Sequence, residues 1–467
     1  SGLPLKLRNS QSIYYSIYKY VLFIIFVIST ASLFIYLNRI QPHYFIDEMF
    51  HIPQTLQYCD GNFTVWDSKI TTLPGLYFLS AAILSPVNLC NILYIRCINL
   101  FGTFANLYLT YSLMKQIHKN KWEDWMQLEI AYNITMFPPL FFWFFLYYTD
   151  VVSVNIVLLM LLLHFRTYYK ISAFVGLLSI LIRQTNVIWV IFLAMERLVD
   201  LLHQHMQKPI TSNVINTPIH LKLLWKSIMD KVNIGKISFI KFLIEISINL
   251  FPYIIVGVIF LIFLIWNGGI VVGDHTAHVP VIHISQLFYF SVFIFSFLWP
   301  YMIPHYLKFF QNIQNHWILS SLIFALITVI VHCNTLVHPY VLADNRHYTF
   351  YIWNKFMGKY VIFRYILIPV YCFTIYSTLY GISHIRFATQ INFIFCTVIV
   401  LIPQLLLEPR YFIIPYIFYR LSMRKPKTWQ IVMESFTNSI INFLQFFIFV
   451  NKVFYWEDQT YPQRISW

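Results

Sequence analysis

Asp47 and Glu48 stand side by side in Tyr44-Phe-Ile-Asp-Glu-Met-Phe-His-Ile-Pro-Gln54, just after the first long apolar run of a 467-residue chain. Neighbours on a helix point about 100° apart, so the two carboxylates cannot face each other across one substrate. A single carboxylate at the edge of an apolar scaffold can still take a proton from a hydroxyl, a contribution of roughly 10²–10⁴-fold in rate. A pair of charges at a helix N-terminus is the plain alternative. His51, four residues after Asp47, is placed to hydrogen-bond that carboxylate or to help bind a phosphate, and a satisfied interfacial histidine is the competing reading. Downstream, Trp66-Asp-Ser-Lys-Ile-Thr-Thr-Leu-Pro-Gly75 adds Trp66 and Lys69 and ends in a Pro-Gly step that opens a helix.

Three further segments carry charge next to apolar runs. Arg183-Gln-Thr-Asn186 interrupts one such run and reads as a turn between two short helices, with Arg183 facing the same side as Asp47; a charge there is a functional candidate. Asp344-Asn-Arg-His-Tyr-Thr-Phe350 and Glu408-Pro-Arg-Tyr-Phe412 each place an arginine near a tyrosine. Arg346 and Arg410 could grip a lipid phosphate through two parallel hydrogen bonds or simply snorkel to the interface, and both readings stay open at this level. Asp274-His-Thr-Ala-His278, with His283 nearby, matches no established metal-ligand spacing, so no metal is expected. Absence of D-x-D and of Gly-rich phosphate loops disfavours a nucleotide donor.

The scaffold that must position these residues is set by composition. Hydrophobic residues make up 59% of the chain and charged residues 11%, against about 25% charged in soluble domains. An all-α, polytopic membrane protein follows, because the apolar stretches are too long and continuous for barrel strands. Thirteen crossings (12–14) are expected, near 18–38, 92–116, 127–148, 151–166, 171–182, 186–199, 243–266, 285–303, 316–333, 361–382, 388–406, 410–421 and 435–452. The first run has no small-residue cleavage site and is expected to stay as an anchor. Residues 73–87 are read as a helix lying at the membrane surface. That choice puts the basic residues of the 200–241 loop and Arg420 to Lys427 on one side, which the positive-inside rule makes cytoplasmic. The other side, with the 41–90 loop, receives Asp47, Glu48, Asp150, Arg183, Asp344, Arg346 and Arg410. The net charge of +14 is scattered between spans, so it reads as topology and no nucleic acid is expected as a partner. The six cysteines include no C-x-x-C pair and are not expected to form a metal or redox framework. Of two glycosylation sequons, Asn62-Phe-Thr64 falls in the first loop and Asn133-Ile-Thr135 inside a span.

Phe45-Ile-Asp-Glu-Met-Phe-His-Ile-Pro-Gln54, Trp66-Asp-Ser-Lys-Ile-Thr-Thr-Leu-Pro-Gly-Leu-Tyr77, Phe145-Leu-Tyr-Tyr-Thr149, Arg183-Gln-Thr-Asn186, Asn267-Gly-Gly-Ile-Val-Val-Gly-Asp274, Leu342-Ala-Asp-Asn-Arg-His-Tyr-Thr-Phe-Tyr351 and Leu407-Glu-Pro-Arg-Tyr-Phe412 resemble, in order, the dolichyl-phosphate-glucose-dependent α-1,2-glucosyltransferases of asparagine-linked glycosylation. The resemblance runs from about residue 40 to the C-terminus. It implies a single integral membrane domain over 1–467 with the GT-C glycosyltransferase fold, in the endoplasmic reticulum membrane, with juxtamembrane helices and an active site facing the lumen. It further implies transfer of glucose from dolichyl phosphate glucose to the diglucosylated dolichyl-diphosphate oligosaccharide, with no cofactor required. A monomer is expected.

By that resemblance the acid of the first lumenal loop is the base, and in this sequence it is Asp47. The β-linked donor and α-linked product imply inversion in one displacement. Arg346, Arg410, His347 and Lys69, in that order, are the expected contacts to the leaving phosphate. Glu48, His51, Trp66, Asp150, Arg183, Asp344 and Tyr411 are the expected substrate-binding residues, of which Glu48, Asp150, Trp66 and Arg183 would position sugars or brace the loop. A lipid or sugar-lipid transporter or scramblase is the alternative, which should show inverted repeats or charges through the membrane depth.

Overall fold

The computed structural model describes residues 5–119, 121–206, 211–273, 280–457 and 459–467, so the Asp274-to-His278 cluster lies outside the described residues. Among the described residues, seven helices are long and apolar enough to cross a membrane: Tyr15–Ile40, Ile92–Ile117, Lys236–Asn267, Ser285–Asn315, Trp317–Asn334, Val361–Ile382 and Thr428–Asn451. The chain is an all-α polytopic membrane protein. Each of the thirteen apolar runs coincides with helix, but the others are short or broken, save Val187–Gln204, whose 18 residues carry Glu196, Arg197 and Asp200.

Proline accounts for the clearest break. The run 127–148 is not one crossing: it divides into Asp124–Thr135, Pro138–Phe141 and the 3-10 turn Phe142–Phe145, and the last two meet the helix Thr149–Phe165 at a bend of 117°. Pro138 and Pro139 have no N–H to give to the preceding turn. At the break, the carbonyls of Asn133 and Met136 instead accept from Asn438 Nδ2 at 3.0 Å and Asn442 Nδ2 at 2.7 Å. Backbone freed inside a bilayer has to find such a protein partner.

Glu434 continues that stripe one turn earlier on the helix Thr428–Asn451. It accepts Arg420 Nε at 2.9 Å, Arg420 Nη2 at 2.7 Å and the Tyr301 hydroxyl at 2.6 Å. Arg420, expected among the loop charges, is therefore wholly buried as half of an internal ion pair. Its own run, 410–421, forms only the turn Pro409–Phe412 and the nine-residue helix Ile413–Leu421.

The 41–90 region folds as the helix Glu48–Cys59, an irregular stretch, and the helix Gly75–Leu84 with a terminal 3-10 turn. Gly75 follows from close approach: a Cβ there would lie 2.6 Å from the Leu181 carbonyl oxygen. A disulfide joins Cys59 to Cys90, which corrects the expectation that the cysteines form no redox pair. No local spacing signals it, because 31 residues separate the two. The 200–241 segment is mostly helical too, its helix Ile219–Ile234 packing on Val187–Gln204 and Lys236–Asn267.

Residues 453–467 return across the end of the bundle that carries the first loop. Val453–Phe454 pairs antiparallel with Gln463–Arg464. Arg464 is buried and donates to Gln41 Oε1 at 3.0 Å and to the Phe449 and Val450 carbonyls at 2.8 and 2.9 Å. Ser466 N then donates to the Arg346 carbonyl at 2.8 Å, tying this segment to the Asp344–His347 stretch.

Candidate active site

The two adjacent acids of the first loop have opposite fates. Glu48 opens the helix Glu48–Cys59 with its side chain completely buried. Its carboxylate accepts Arg96 Nε at 2.9 Å and Nη2 at 2.6 Å, together with the backbone N–H groups of Phe45 and Tyr147. Arg96 in turn binds Asn38 Oδ1 and the Gln41 and His43 carbonyls. This network ties the end of the first membrane helix to the loop, so Glu48 braces the loop and presents no oxygen to a substrate. Arg96 is a residue missed from sequence, although an arginine within an apolar run was the signal.

Asp47, one position earlier, turns outward with about a third of its side chain exposed. Its Oδ2 accepts Arg410 Nη1 at 3.0 Å, and its backbone N–H donates to the Tyr148 hydroxyl at 3.2 Å. Tyr148 itself donates to the Phe45 carbonyl at 3.0 Å, so this tyrosine, also missed from sequence, pins the backbone on which Asp47 sits. Burial pushes the Asp47 carboxyl up, but the Arg410 charge, aided by His51 and His347, outweighs it and leaves the carboxyl below its usual range. His51 does not hydrogen-bond the Asp47 side chain; its Nδ1 meets the Tyr77 hydroxyl at 2.6 Å. Burial lowers the pKa of His51 despite Asp47, favouring the neutral ring.

Arg410 is the hub. Besides Asp47 it reaches Glu408 at 2.9 Å and Asp150 at 3.7 Å, and its guanidinium lies 5.4 Å from the ring centres of both Trp143 and Tyr148. Asp150 is almost fully buried and pairs directly with Arg183, whose guanidinium stands 5.9 Å from the Tyr411 ring. The break that frees Arg183 falls between the helix Tyr169–Ile182 and the turn Gln184–Asn186. A cavity of about 40 Å³ is lined by Asp150, Arg183, Arg410, Tyr411 and Gln404.

A second cavity, of about 260 Å³, has Phe45, Ile46 and Arg346 in its wall. Arg346 gives Nε and Nη2 to the two Asp344 oxygens at 2.9 and 2.7 Å, and the His347 ring lies 3.7 Å from the same carboxylate. Lys69 is not drawn into either cluster: it is exposed, with its ammonium 5.3 Å from the Phe50 ring. Gln54 clamps the stretch that holds Trp66, donating to the Val65 carbonyl at 2.7 Å and accepting the Asp67 N–H at 3.0 Å. The Trp66 ring lies 6.0 Å from Tyr77, and its indole nitrogen is buried with no hydrogen-bond partner among the described residues.

No group of three or more His, Cys, Asp or Glu able to hold a metal occurs among the described residues. The arrangement is one outward carboxylate on a braced loop, backed by an arginine that three acids share; that arginine lines the smaller cavity, and Ile46, the residue before the carboxylate, lines the larger.

Fold and site thus define a polytopic helical membrane protein with a carboxylate–arginine centre at one end of its bundle. The chain belongs to the DIE2/ALG10 family, which residues 41–421 match. It is 34% identical over 463 residues to a human protein named Dol-P-Glc:Glc(2)Man(9)GlcNAc(2)-PP-Dol alpha-1,2-glucosyltransferase, covering 94% of this chain and 96% of the relative. The likeness to proteins of the same name is 36% in Drosophila melanogaster, over 96% and 99% of the two chains, and 32% in Arabidopsis thaliana, over 93% and 96%. No solved structure matches.

Proposed function

We infer that this chain is an α-1,2-glucosyltransferase that moves glucose from dolichyl phosphate glucose to the diglucosylated, dolichyl-diphosphate-linked oligosaccharide. The observation that carries the reading is the nearly full-length likeness to relatives named for that reaction. It favours the transferase over the transporter alternative.

In the mechanism we propose, Asp47 accepts the proton of the 2-hydroxyl on the terminal glucose of the acceptor. The hydroxyl oxygen bonds to the anomeric carbon as that carbon's bond to the phosphate oxygen breaks, and the electron pair leaves with dolichyl phosphate. One base suffices for one inverting displacement. Arg410 is the first choice for receiving the leaving phosphate because it already touches Asp47. Arg346, His347 and Lys69 rank below it because none of them hydrogen-bonds Asp47: Arg346 and His347 stand at Asp344, and Lys69 lies against the Phe50 ring. Asp150, Arg183 and Tyr411 shape the smaller cavity, and His51 and Trp66, which both stand against Tyr77, hold the first loop around Asp47.

The finer architecture belongs to the same proposal: a GT-C fold of about thirteen crossings, the 41–90 loop and its helices in the lumen of the endoplasmic reticulum, the 200–241 segment in the cytosol, no cofactor, and a monomer. The Cys59–Cys90 disulfide supports the lumenal side, since such bonds persist in oxidising compartments. Purified protein given dolichyl phosphate glucose and the diglucosylated lipid-linked acceptor should yield a triglucosylated product with a terminal α-1,2 bond. Absence of that product with intact, folded protein would overturn the reading.

A further inference from the structure

The cavity of about 260 Å³ has a wall that the reaction described above leaves unused. His43 and Tyr44 from the first loop share its lining with Arg346 and with Gln459, Tyr461 and Gln463 from the returning segment. The volume is close to the lower end of the roughly 300–1,000 Å³ typical of small-molecule sites, enough for one or two hexose units and too small for an oligosaccharide with its lipid.

Its chemistry is that of a neutral polyol site. The rings of His43 and Tyr461 are stacked at 4.1 Å with 23° between their planes, and Tyr461 is 43% exposed. An aromatic face is electron-rich and attracts the polarised C–H bonds of a pyranose ring. Gln459 and Gln463 bring amides, which both donate and accept, as sugar hydroxyls do. Arg346 is already committed: Nε and Nη2 go to Asp344, Nη1 lies 3.4 Å from Gln463 Oε1, and the guanidinium stands 4.5 Å from the Trp456 ring. The Arg346–Asp344 pair carries no net charge, and a vicinal diol can share it, donating to the carboxylate and accepting from the guanidinium.

The wall is also built to hold its shape. Arg464 locks the returning segment to Gln41 and to the end of the last membrane helix, and Ser466 pairs with the backbone of Arg346 and Tyr348. Phe45, Ile46, Met49 and Ile92 give the lining its apolar part, and Phe45 and Ile46 immediately precede Asp47 in the chain.

We propose that this cavity is a hexose subsite for the glucose end of the acceptor, with Tyr461 and His43 as its stacking platform and the Arg346–Asp344 pair, Gln459 and Gln463 as hydroxyl contacts. The assignment rests on the glucosyltransferase reading and adds to it where the acceptor sugar lies. Stacking of this kind is worth about 3- to 10-fold in affinity. Tyr461→Ala should therefore raise KM for the lipid-linked acceptor about 3- to 10-fold while KM for dolichyl phosphate glucose moves less than about twofold; Tyr461→Phe should restore the acceptor KM. Tyr461 is surface-exposed, so truncation opens no core cavity, and Gln463→Ala gives a second variant with the same expected split. An unchanged acceptor KM in both alanine variants overturns the subsite, as does a rise in donor KM alone, which would mark a phosphate site. Hydrogen exchange of residues 459–463 with the free diglucosylated oligosaccharide gives a readout independent of turnover. Protection supports the subsite even in a preparation that transfers no glucose, a result that would count against the transferase reading instead; no protection at saturating sugar overturns the subsite.

Discussion

Arg410 Nη1 lies 3.0 Å from Asp47 Oδ2, although 363 residues separate the two in sequence. The contact brings the first loop and the Glu408–Phe412 turn to one point, and it sets the charge state of the only outward-facing acid of the pair Asp47 and Glu48. A base of this kind works in its ionised form. Asp47→Asn removes the proton acceptor and keeps an oxygen for Arg410, so the variant should fold normally and turn over at least about 10²-fold more slowly. The comparison is made on single-turnover rates at saturating donor and acceptor, and a wild-type rate would remove Asp47 from the mechanism.

The same contact predicts a pH profile. Burial acts to raise the Asp47 carboxyl and Arg410 more than offsets it, leaving the group below its ordinary value. The base is therefore already ionised throughout the neutral and mildly acidic range, and kcat/KM should stay flat there as far as this group decides it. In Arg410→Gln the burial contribution is no longer countered by that cation. The acid limb should move to higher pH, with activity falling as pH drops through the raised pKa, on top of weaker donor binding. A profile whose acid limb does not shift between wild type and Arg410→Gln would show that Arg410 does not govern the base.

Much of the site was legible before any coordinates, and the unread part has physical causes. Charges are rare in this chain, so an acid pair or an Arg-Tyr step beside an apolar run stands out by cost alone. Adjacency also told that Asp47 and Glu48 must point apart; which one faces inward depends on Arg96, a partner 48 residues away that no local pattern couples to Glu48. The disulfide is hidden for the same reason. The crossing count rests on apolar length, which foresaw the turn at Arg183 because a charge marks it but ran straight through Pro138-Pro139, where the backbone bends. Glu434, Asn438 and Asn442 recur every four residues and could have been read as a buried polar face against that break.

Glu48 and Arg96 give a prediction about stability that is separate from catalysis. Both side chains are buried, and the glutamate also holds the backbone N–H groups of Phe45 and Tyr147. Removing one charge leaves the other buried and unpaired, at a cost of about 3–5 kcal/mol. Glu48→Ala and Arg96→Ala should each lower the melting temperature of the detergent-solubilised protein markedly, whereas Glu48→Leu combined with Arg96→Met should recover only part of it, because no orphan charge remains but the Phe45 and Tyr147 N–H groups and the Gln41 and His43 carbonyls lose their partners. If the double variant is less stable than either single one, the pair is contributing more than mutual neutralisation.

The Cys59–Cys90 bond closes the ends of the first loop, linking the last residue of the helix Glu48–Cys59 to the stretch just before the helix Ile92–Ile117. A covalent closure of this size restricts the unfolded chain and is worth roughly 2–4 kcal/mol. Because Asp47 sits at the opposite end of that short helix, loosening the loop should reach catalysis through heat sensitivity first. Cys59→Ser, or wild type treated with reductant, should lose glucosyl transfer at a lower temperature than oxidised wild type, with a similar rate at low temperature. The bond also marks its side of the membrane, since cytosolic thiols are kept reduced. Alkylation of intact membranes before reduction, followed by peptide mass spectrometry, should find Cys59 and Cys90 linked to each other and unlabelled. Recovery of both as free, alkylated thiols would argue against the bond and would remove its support for placing the loop, and Asp47 with it, in the lumen.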